Sequence, residues 1–259
     1  MQFVLIQNPE REQSVRTAER VRAIAEAKGV TCMLSEGGGI PAGTDALVVA
    51  GGDGTLIRAA HLACRYDIPL MGVHCGRVGF LTELTEDDFA EAVDRMRTGD
   101  YTESVRGMLD VSINGAEPVP CLNDVLVFKS SFSGVAQLDF SVNDDRVGTL
   151  FGDGLVIATP TGSTGYSLSA GGPILSAGLD AMLITPICPH TLHMRPVVAS
   201  MNARVTVYIS DNCFVASDGD EIAQLKKGDV LTITRSPYRT RILTFEKRNP
   251  FRLIAEKLT

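Results

Sequence analysis

Ala46-Leu-Val-Val-Ala-Gly-Gly-Asp-Gly-Thr55 decides the fold of the first half of the chain. Five apolar residues run without a polar interruption, which reads as a strand covered on both faces. Glycines follow at once, and Leu56 to Cys64 then reads as a helix. Strand, glycine turn and helix make a phosphate-binding unit, because glycines let backbone N–H groups approach an anion closely at a helix N-terminus. The lysine of a Walker loop is missing. Asp53 stands in its place, and a carboxylate there points to a metal contact or to a base acting on an attacking hydroxyl. Aspartate and glycine also favour ordinary tight turns, so the turn alone leaves both readings open.

On the N-terminal side, Phe3–Gln7 reads as a strand and Asn8-Pro-Glu10 as the opening of a helix reaching Lys28. Val15, Ala18, Val21 and Ala25 fall close to one face of that helix, and Gly29 stops it. Val30–Leu34 is a second strand, and Glu36 to Gly43 is too glycine-rich for a core element and reads as a mobile loop. Beyond the opening stretch, Pro69–Val73 reads as a further strand. Thr85-x-x-Asp88 resembles a capping box, starting a helix that turns Phe89, Val93 and Met96 inward. Strands alternating with helices predict a parallel sheet covered on both faces.

Near residue 100 the texture changes. From Tyr101 to about Phe245 short apolar or alternating runs dominate: Leu109–Asn114, Val125–Lys129, Leu138–Val142, Leu155–Ala158, Val205–Ile209, Val230–Thr234 and Ile242–Phe245. Polar turns such as Asn143-Asp-Asp145 and Lys227-Gly-Asp229 separate them, which predicts an all-β domain. The expected organisation is an α/β N-terminal domain over 1–100 and a β-rich domain over 101–245. The tail, 246–259, reads as a short helix returning to the first domain.

Composition bounds the function. Of 259 residues, 44% are apolar and 21% charged, ordinary for a globular protein with a sizeable core. A net charge of −7 argues against a nucleic-acid binder and requires any anionic ligand to be held by local donors. No run is long enough to cross a bilayer, and the short apolar start reads as a first strand, not a signal peptide. The six cysteines are scattered without a CxxC pair, which favours reduced, buried thiols and a cytoplasmic protein, with no zinc site.

Three further stretches carry residues that a plain scaffold would not need. The densest is Gly152–Pro173, where a strand ends at Ala158 and small hydroxyl residues and glycines crowd together. Such hydroxyls and backbone N–H groups can hold ribose hydroxyls and phosphates without adding charge, and a flexible linker has a similar composition. The second is Cys121–Val127, with Asn123 and Asp124 at the mouth of an apolar strand. An amide can pair with a base edge and a carboxylate can accept from a ribose diol, while Asn-Asp is also a common turn. The third is His74–Leu81, at the carboxyl end of a parallel strand, where open α/β sheets bind ligands. Its Phe80 can flank a planar ring or simply fill the core. Arg58 and Arg77 stand where they can reach a phosphate, although such arginines are commonly just solvated. His190-x-x-His193 lacks a third metal ligand at useful spacing, and no GxSxG elbow or Ser/His/Asp arrangement is present.

Taken in order, these stretches resemble the NAD kinase family, bacterial type, over nearly the whole chain. The resemblance rests on Gly51-Gly-Asp-Gly-Thr55, Leu122-Asn-Asp-Val125, Gly152-Asp-Gly154, Thr159-Pro-Thr-Gly-Ser-Thr-Gly-Tyr166 with Gly171-Gly-Pro-Ile174, and Pro186-Ile-Cys-Pro-His190 with Arg195-Pro196. Lipid kinases and phosphofructokinases carry similar GGDGT turns, whereas the TPTGST stretch is much more specific. The resemblance implies an active site between an α/β and a β-rich domain, and transfer of a phosphoryl group from ATP or another donor to the 2′-hydroxyl of the adenosine ribose of NAD. It implies Mg²⁺ or another divalent metal carried with the donor and no metal ligand from the protein. It also implies NAD and ATP as small-molecule substrates, no nucleic acid or membrane partner, and a homodimer or homotetramer. Asp53 would take the proton from the attacking hydroxyl, and Gly51, Gly52, Gly54, Thr55 and Arg58 would hold donor phosphates. Asn123 and Asp124 would contact adenine and ribose, and Asp153 would lie toward the nicotinamide end. Thr161, Ser163, Thr164, Gly165, Tyr166 and Ser169 would line the dinucleotide site with Phe80 nearby.

Three departures from the family pattern stand out. Asp124 replaces a common Glu and is one methylene shorter, Gly165 replaces a common Ala, and His193-Met194 and Ser217-Asp-Gly-Asp220 also differ. Two other readings share part of this pattern. A lipid kinase would use the same GGDGT turn, although no basic amphipathic segment supports one. A non-catalytic dinucleotide sensor would not need Asp53.

Overall fold

The computed structural model describes residues 1–35, 39–76, 78–190, 193–245 and Ala255. The chain divides into two units, Met1–Val105 together with the chain from Thr240, and Arg106–Arg239. The expected tail, residues 246–259, lies outside the described residues apart from Ala255, as do Glu36–Gly38 of the glycine-rich loop.

In the first unit β1 (Gln2–Gln7), α1 (Glu12–Ala27), β2 (Thr31–Leu34), β3 (Ala46–Ala50), α2 (Asp53–Tyr66), β4 (Leu70–Val73) and α3 (Phe89–Thr98) alternate as the pattern predicts. The strands lie in the order β2-β1-β3-β4, all parallel. Every residue of β3 and β4 is buried, which is why both read as uninterrupted apolar runs. Phe3, Leu5, Ala46, Val48, Ala50, Met71 and Val73 share one core with Val21 and Ala25 of α1 and with Phe89 and Val93 of α3. Helix α1 starts at Glu12 and not at Asn8, because the Asn8 side chain accepts from Glu10 N at 3.0 Å and holds the entry as a turn. The Ser14 hydroxyl then accepts from Asn8 N and donates to Ala50 O, tying this corner to the end of β3. The Thr85–Asp88 box forms reciprocally: Thr85 N donates to the Asp88 carboxylate and Asp88 N to the Thr85 hydroxyl. Met96 is only half-buried, against the edge of the core.

β5 (Thr102–Ile113) leads into the second unit. There β6 (Val119–Cys121), β7 (Asp124–Lys129), β8 (Ala136–Val142), β9 (Asp145–Gly152), β10 (Gly154–Ala158), β11 (Ala181–Ile187), β12 (Val197–Ser200), β13 (Val205–Ile209), β14 (Cys213–Ser217) and β15 (Asp220–Leu225) follow, with the four-residue helix α4 (Tyr166–Ser169) between β10 and β11. β16 (Val230–Thr244) starts in this unit and ends in the first, where Ile242 pairs in parallel with Leu70. Two antiparallel layers result, β16-β13-β8-β9 and β12-β11-β10-β7-β14-β15. Val125, Val127, Leu155, Ile157, Met182 and Ile184 from one layer share a core with Leu138, Phe140, Val205, Val207, Leu231 and Ile233 from the other. The alternate residues Val156, Ala158 and Leu183 are covered instead by Ala170 and Leu175 from the stretch after β10.

Candidate active site

Asp53 is the first residue of α2, so the glycine turn is the first turn of the helix and not a separate loop ahead of Leu56. A carboxylate in this position complements the positive end of the helix. Gly51 is needed for a different reason. A side chain there would collide with Thr55, whose hydroxyl lies 2.6 Å from the place its Cβ would take. Gly52 and Gly54 are exposed and would meet nothing within 4 Å, so this turn is open to an incoming anion.

The Asp53 carboxylate does not hang free. Phe80 N donates to Oδ2 at 2.7 Å, while Leu81 N and Thr82 N donate to Oδ1 at 3.0 and 3.2 Å, with the Thr82 hydroxyl at 3.4 Å. The segment reaches this place because Leu84 doubles back on the end of β4: Leu84 N donates to Gly72 O and His74 N to Leu84 O. Phe80 is thus fixed beside Asp53 by its backbone, half-buried. Arg77 lies outside the described residues.

Beside this turn a cavity of about 400 Å³ opens at the carboxyl ends of the strands, lined by Ile6 and Gln7 at the end of β1, Asn8–Glu10 after it, Ser35 after β2, and Thr55, Arg58, Ala59 and Leu62 of α2. β2 and β3 flank β1 on opposite sides, so this is the topological switch point where doubly wound sheets bind their ligands. Arg58 is exposed at its wall.

In the second unit, β7 and β10 pair with Ala158 opposite Asp124, which brings the Asn-Asp pair to the start of the hydroxyl-rich stretch. Thr159 N donates to Asn123 O, the Thr159 hydroxyl donates to Leu122 O at 2.6 Å, and Gly162 N donates to that hydroxyl. Any side chain at Gly162 would overlap Asn123 O. The Ser163 hydroxyl donates to Pro160 O and accepts from Leu175 N, Thr164 donates to Thr161 O, and Ser167 pairs with Thr185. These hydroxyls hold the stretch in a single 3₁₀ turn (Gly162–Thr164) followed by α4. Thr161 and Ser163 are buried, Thr164 and Gly165 half-buried, and Tyr166 and Ser169 exposed. The space over Gly165 is bounded by Asp124 Oδ2 at 3.4 Å and Asn123 Nδ2 at 3.8 Å, so these three residues adjoin. Asn123 Oδ1 is buried without a partner among the described residues. Burial, and then the neighbouring Asp218, push the Asp124 carboxyl up to about 7. Asp153 pairs with Lys129 at 2.6 Å, and that hydrogen bond holds its carboxyl below the ordinary value. Burial raises the Tyr166 phenol, with smaller contributions from Cys188 and Asp153.

The profile of the ATP-NAD kinase N-terminal domain matches residues 39–101, and that of the ATP-NAD kinase C-terminal domain matches residues 122–245. The chain belongs to the ATP-NAD kinase family. It is 42% identical over 226 residues to the NAD kinase of Geobacter sulfurreducens, covering 85% of this chain and 80% of the relative. It is 34% identical over 276 residues to that of Natranaerobius thermophilus, covering 98% and 96%. The fold is that of yeast NADH kinase solved with NADH (TM-score 0.88, 22% identity, 100% of this chain and 87% of that one). It is also that of an Archaeoglobus fulgidus NAD kinase solved with ATP (TM-score 0.80, 25% identity, 99% and 98%). As an NAD kinase it is a phosphotransferase, converting NAD to NADP by phosphorylating the 2′-hydroxyl of the adenosine ribose.

Two parts of this NAD kinase escaped the sequence pattern. Asp218 accepts from three consecutive amides, Leu122 N at 2.7 Å, Asn123 N at 2.6 Å and Asp124 N at 3.3 Å, and so shapes the Asn-Asp mouth. Its only local signal is the Asp218-Gly219 turn between β14 and β15, with positive φ at both residues. Lys129, the partner of Asp153, had none. The thiols also divide: Cys32, Cys64, Cys121 and Cys213 are buried as expected, but Cys75 is half-buried and Cys188 exposed. His190 and His193 flank Thr191 and Leu192, which lie outside the described residues.

Proposed function

We propose that Asp53 is the base of this NAD kinase and that the two clusters divide the substrates between them. The carboxylate fixed at an open helix N-terminus carries this reading. The donor's phosphates meet the amides of the glycine turn, the Thr55 hydroxyl and Arg58, and its nucleoside extends into the cavity at the switch point. Gly51 keeps Thr55 in place. NAD is held by Asn123 at the adenine edge and Asp124 at the ribose hydroxyls. Thr161, Ser163, Thr164, Gly165, Tyr166 and Ser169 form the wall, Asp153 stands toward the nicotinamide end, and Phe80 is close to the reacting ribose. Among the described residues Oδ1 of Asp53 receives three donors and Oδ2 one, so the more open lone pair is on Oδ2. The 2′-oxygen forms its bond to the γ-phosphorus as the bond to the leaving oxygen of ADP breaks, and the hydroxyl proton passes to Oδ2.

Among the described residues no group of three His, Cys, Asp or Glu gathers as a metal cage. We place a divalent ion with the nucleotide donor; Glu10, which lines the same cavity, would be its one protein carboxylate, where the resemblance implied none. When bound, such an ion would offset the negative charge of the donor's phosphates during transfer. We assign the enzyme to the cytoplasm; no described helix is long and apolar enough to cross a membrane. We also propose a homodimer or homotetramer. The support is β12, an edge strand with Val197 and Val198 exposed, which a second copy would cover.

The test is incubation of the purified protein with NAD, ATP and Mg²⁺, followed by an NADP-specific dehydrogenase. NADP formation is expected. Absence of NADP with both ATP and polyphosphate would refute the reading.

A further inference from the structure

Gly79 is buried, and its φ lies outside the left-handed region, so backbone strain does not require a glycine there. Space does. A Cβ at residue 79 would fall inside the Asp53 carboxylate, 2.6 Å from Asp53 Cγ and 2.6 Å from the Thr82 hydroxyl. The next three residues donate all three of their amides to that carboxylate. Gly72 provides the matching space underneath, since a Cβ there would press on Thr82 Cα at 3.0 Å. A carboxylate wedged against a glycine Cα and saturated on one oxygen has a single orientation. We infer that Gly79–Thr82 is a positioning segment of the transfer, which saturates Asp53 Oδ1 and leaves Oδ2 as the oxygen that meets the acceptor's hydroxyl.

This inference rests on Asp53 acting as the base, and it separates from a purely structural tie by its kinetics. A tie between two loops would affect stability and substrate binding together. A positioning segment affects the proton-transfer geometry, where small misplacements are costly to rate and nearly neutral to binding.

The experiment is steady-state kinetics with NAD affinity by calorimetry on Gly79→Ala, Thr82→Val and Thr82→Ser, and thermal melts of Gly79→Ala alone and combined with Asp53→Ala. We expect Gly79→Ala to lower kcat roughly 100-fold, the scale of a displaced catalytic group. KM for ATP and Kd for NAD should stay within about threefold. Thr82→Val should lower kcat several-fold and Thr82→Ser should restore it. The loss of Tm caused by Gly79→Ala should shrink in the Asp53→Ala background, because the colliding atoms are gone. If Gly79→Ala and Thr82→Val both retain kcat while wild type makes NADP, the segment has no positioning role although the kinase reading stands. Equal losses of kcat and NAD binding would also overturn the inference, and a wild type that makes no NADP overturns both.

Discussion

Asp53 and Asp218 use one device in two places. Each is a carboxylate that accepts from three consecutive backbone N–H groups, Phe80–Thr82 in one case and Leu122–Asp124 in the other. Charge-assisted bonds of this kind are stronger than neutral ones and bring geometric specificity. At Asp218 the consequence falls on Asp124, whose carboxyl is raised to about 7 by burial and by that neighbour. Its ordinary value is 3.8. Between these values the unfolded chain has lost the proton and the folded chain keeps it. Stability therefore falls as pH rises across that window, by at most ~1.4 kcal/mol per pH unit, and levels off above it. Asp124→Asn should remove the slope, so its gain in Tm over wild type should be larger at pH 8 than at pH 4.5. Equal differences at both pH values would contradict the assignment. Asn123 and Asp124 stood out because they interrupt an apolar run at the start of β7, and Asp53 because it stands in a glycine turn just after the apolar run of β3. Asp218 was not, since Asp-Gly in a hairpin turn is accounted for by turn chemistry alone.

Among elements, the hydroxyl-rich stretch after β10 changed most between sequence and structure. Its composition is that of a linker or of a ligand-facing loop. In the fold, four of its hydroxyls bond within the protein, and Ala170 and Leu175 cover the outer face of the sheet. Hydroxyl residues are equally able to serve ligand and backbone, so composition does not tell these uses apart. Thr159 is the test. It is fully buried, donates to Leu122 O and accepts from Gly162 N. Thr159→Val keeps the shape and strands both partners, so it should cost about 1–3 kcal/mol in urea unfolding, with Thr159→Ser nearly neutral. β3, β7 and β10 were legible as apolar runs. Burial alone did not decide legibility: β11 and β14 are buried along most of their length yet escaped, together with β6, β9, β12 and β15, and β16 read as two strands because Arg235–Arg239 carries little apolar pattern.

At the scale of the molecule, the two units answer two physical demands. A parallel sheet with helices on both faces places a glycine turn, a helix N-terminus and a cavity at its switch point. An antiparallel two-layer unit presents a rigid mouth of amide, carboxylate and glycine at the end of β7. The first suits a highly charged donor without a lysine, and the second suits an acceptor recognised by its base and ribose. The alternation of strand and helix up to residue 100, and its loss afterwards, announced both. The partners of the site's carboxylates are set by tertiary approach and left no trace in periodicity. The central claim is that Asp53 takes the acceptor's proton and does little to hold NAD. The most direct measurement is NADP formation by Asp53→Asn beside its calorimetric Kd for NAD. Turnover should fall by about 10²–10⁴-fold, with Kd within threefold of wild type. Turnover within tenfold of wild type, or a loss of NAD binding as large as the loss of rate, would contradict it.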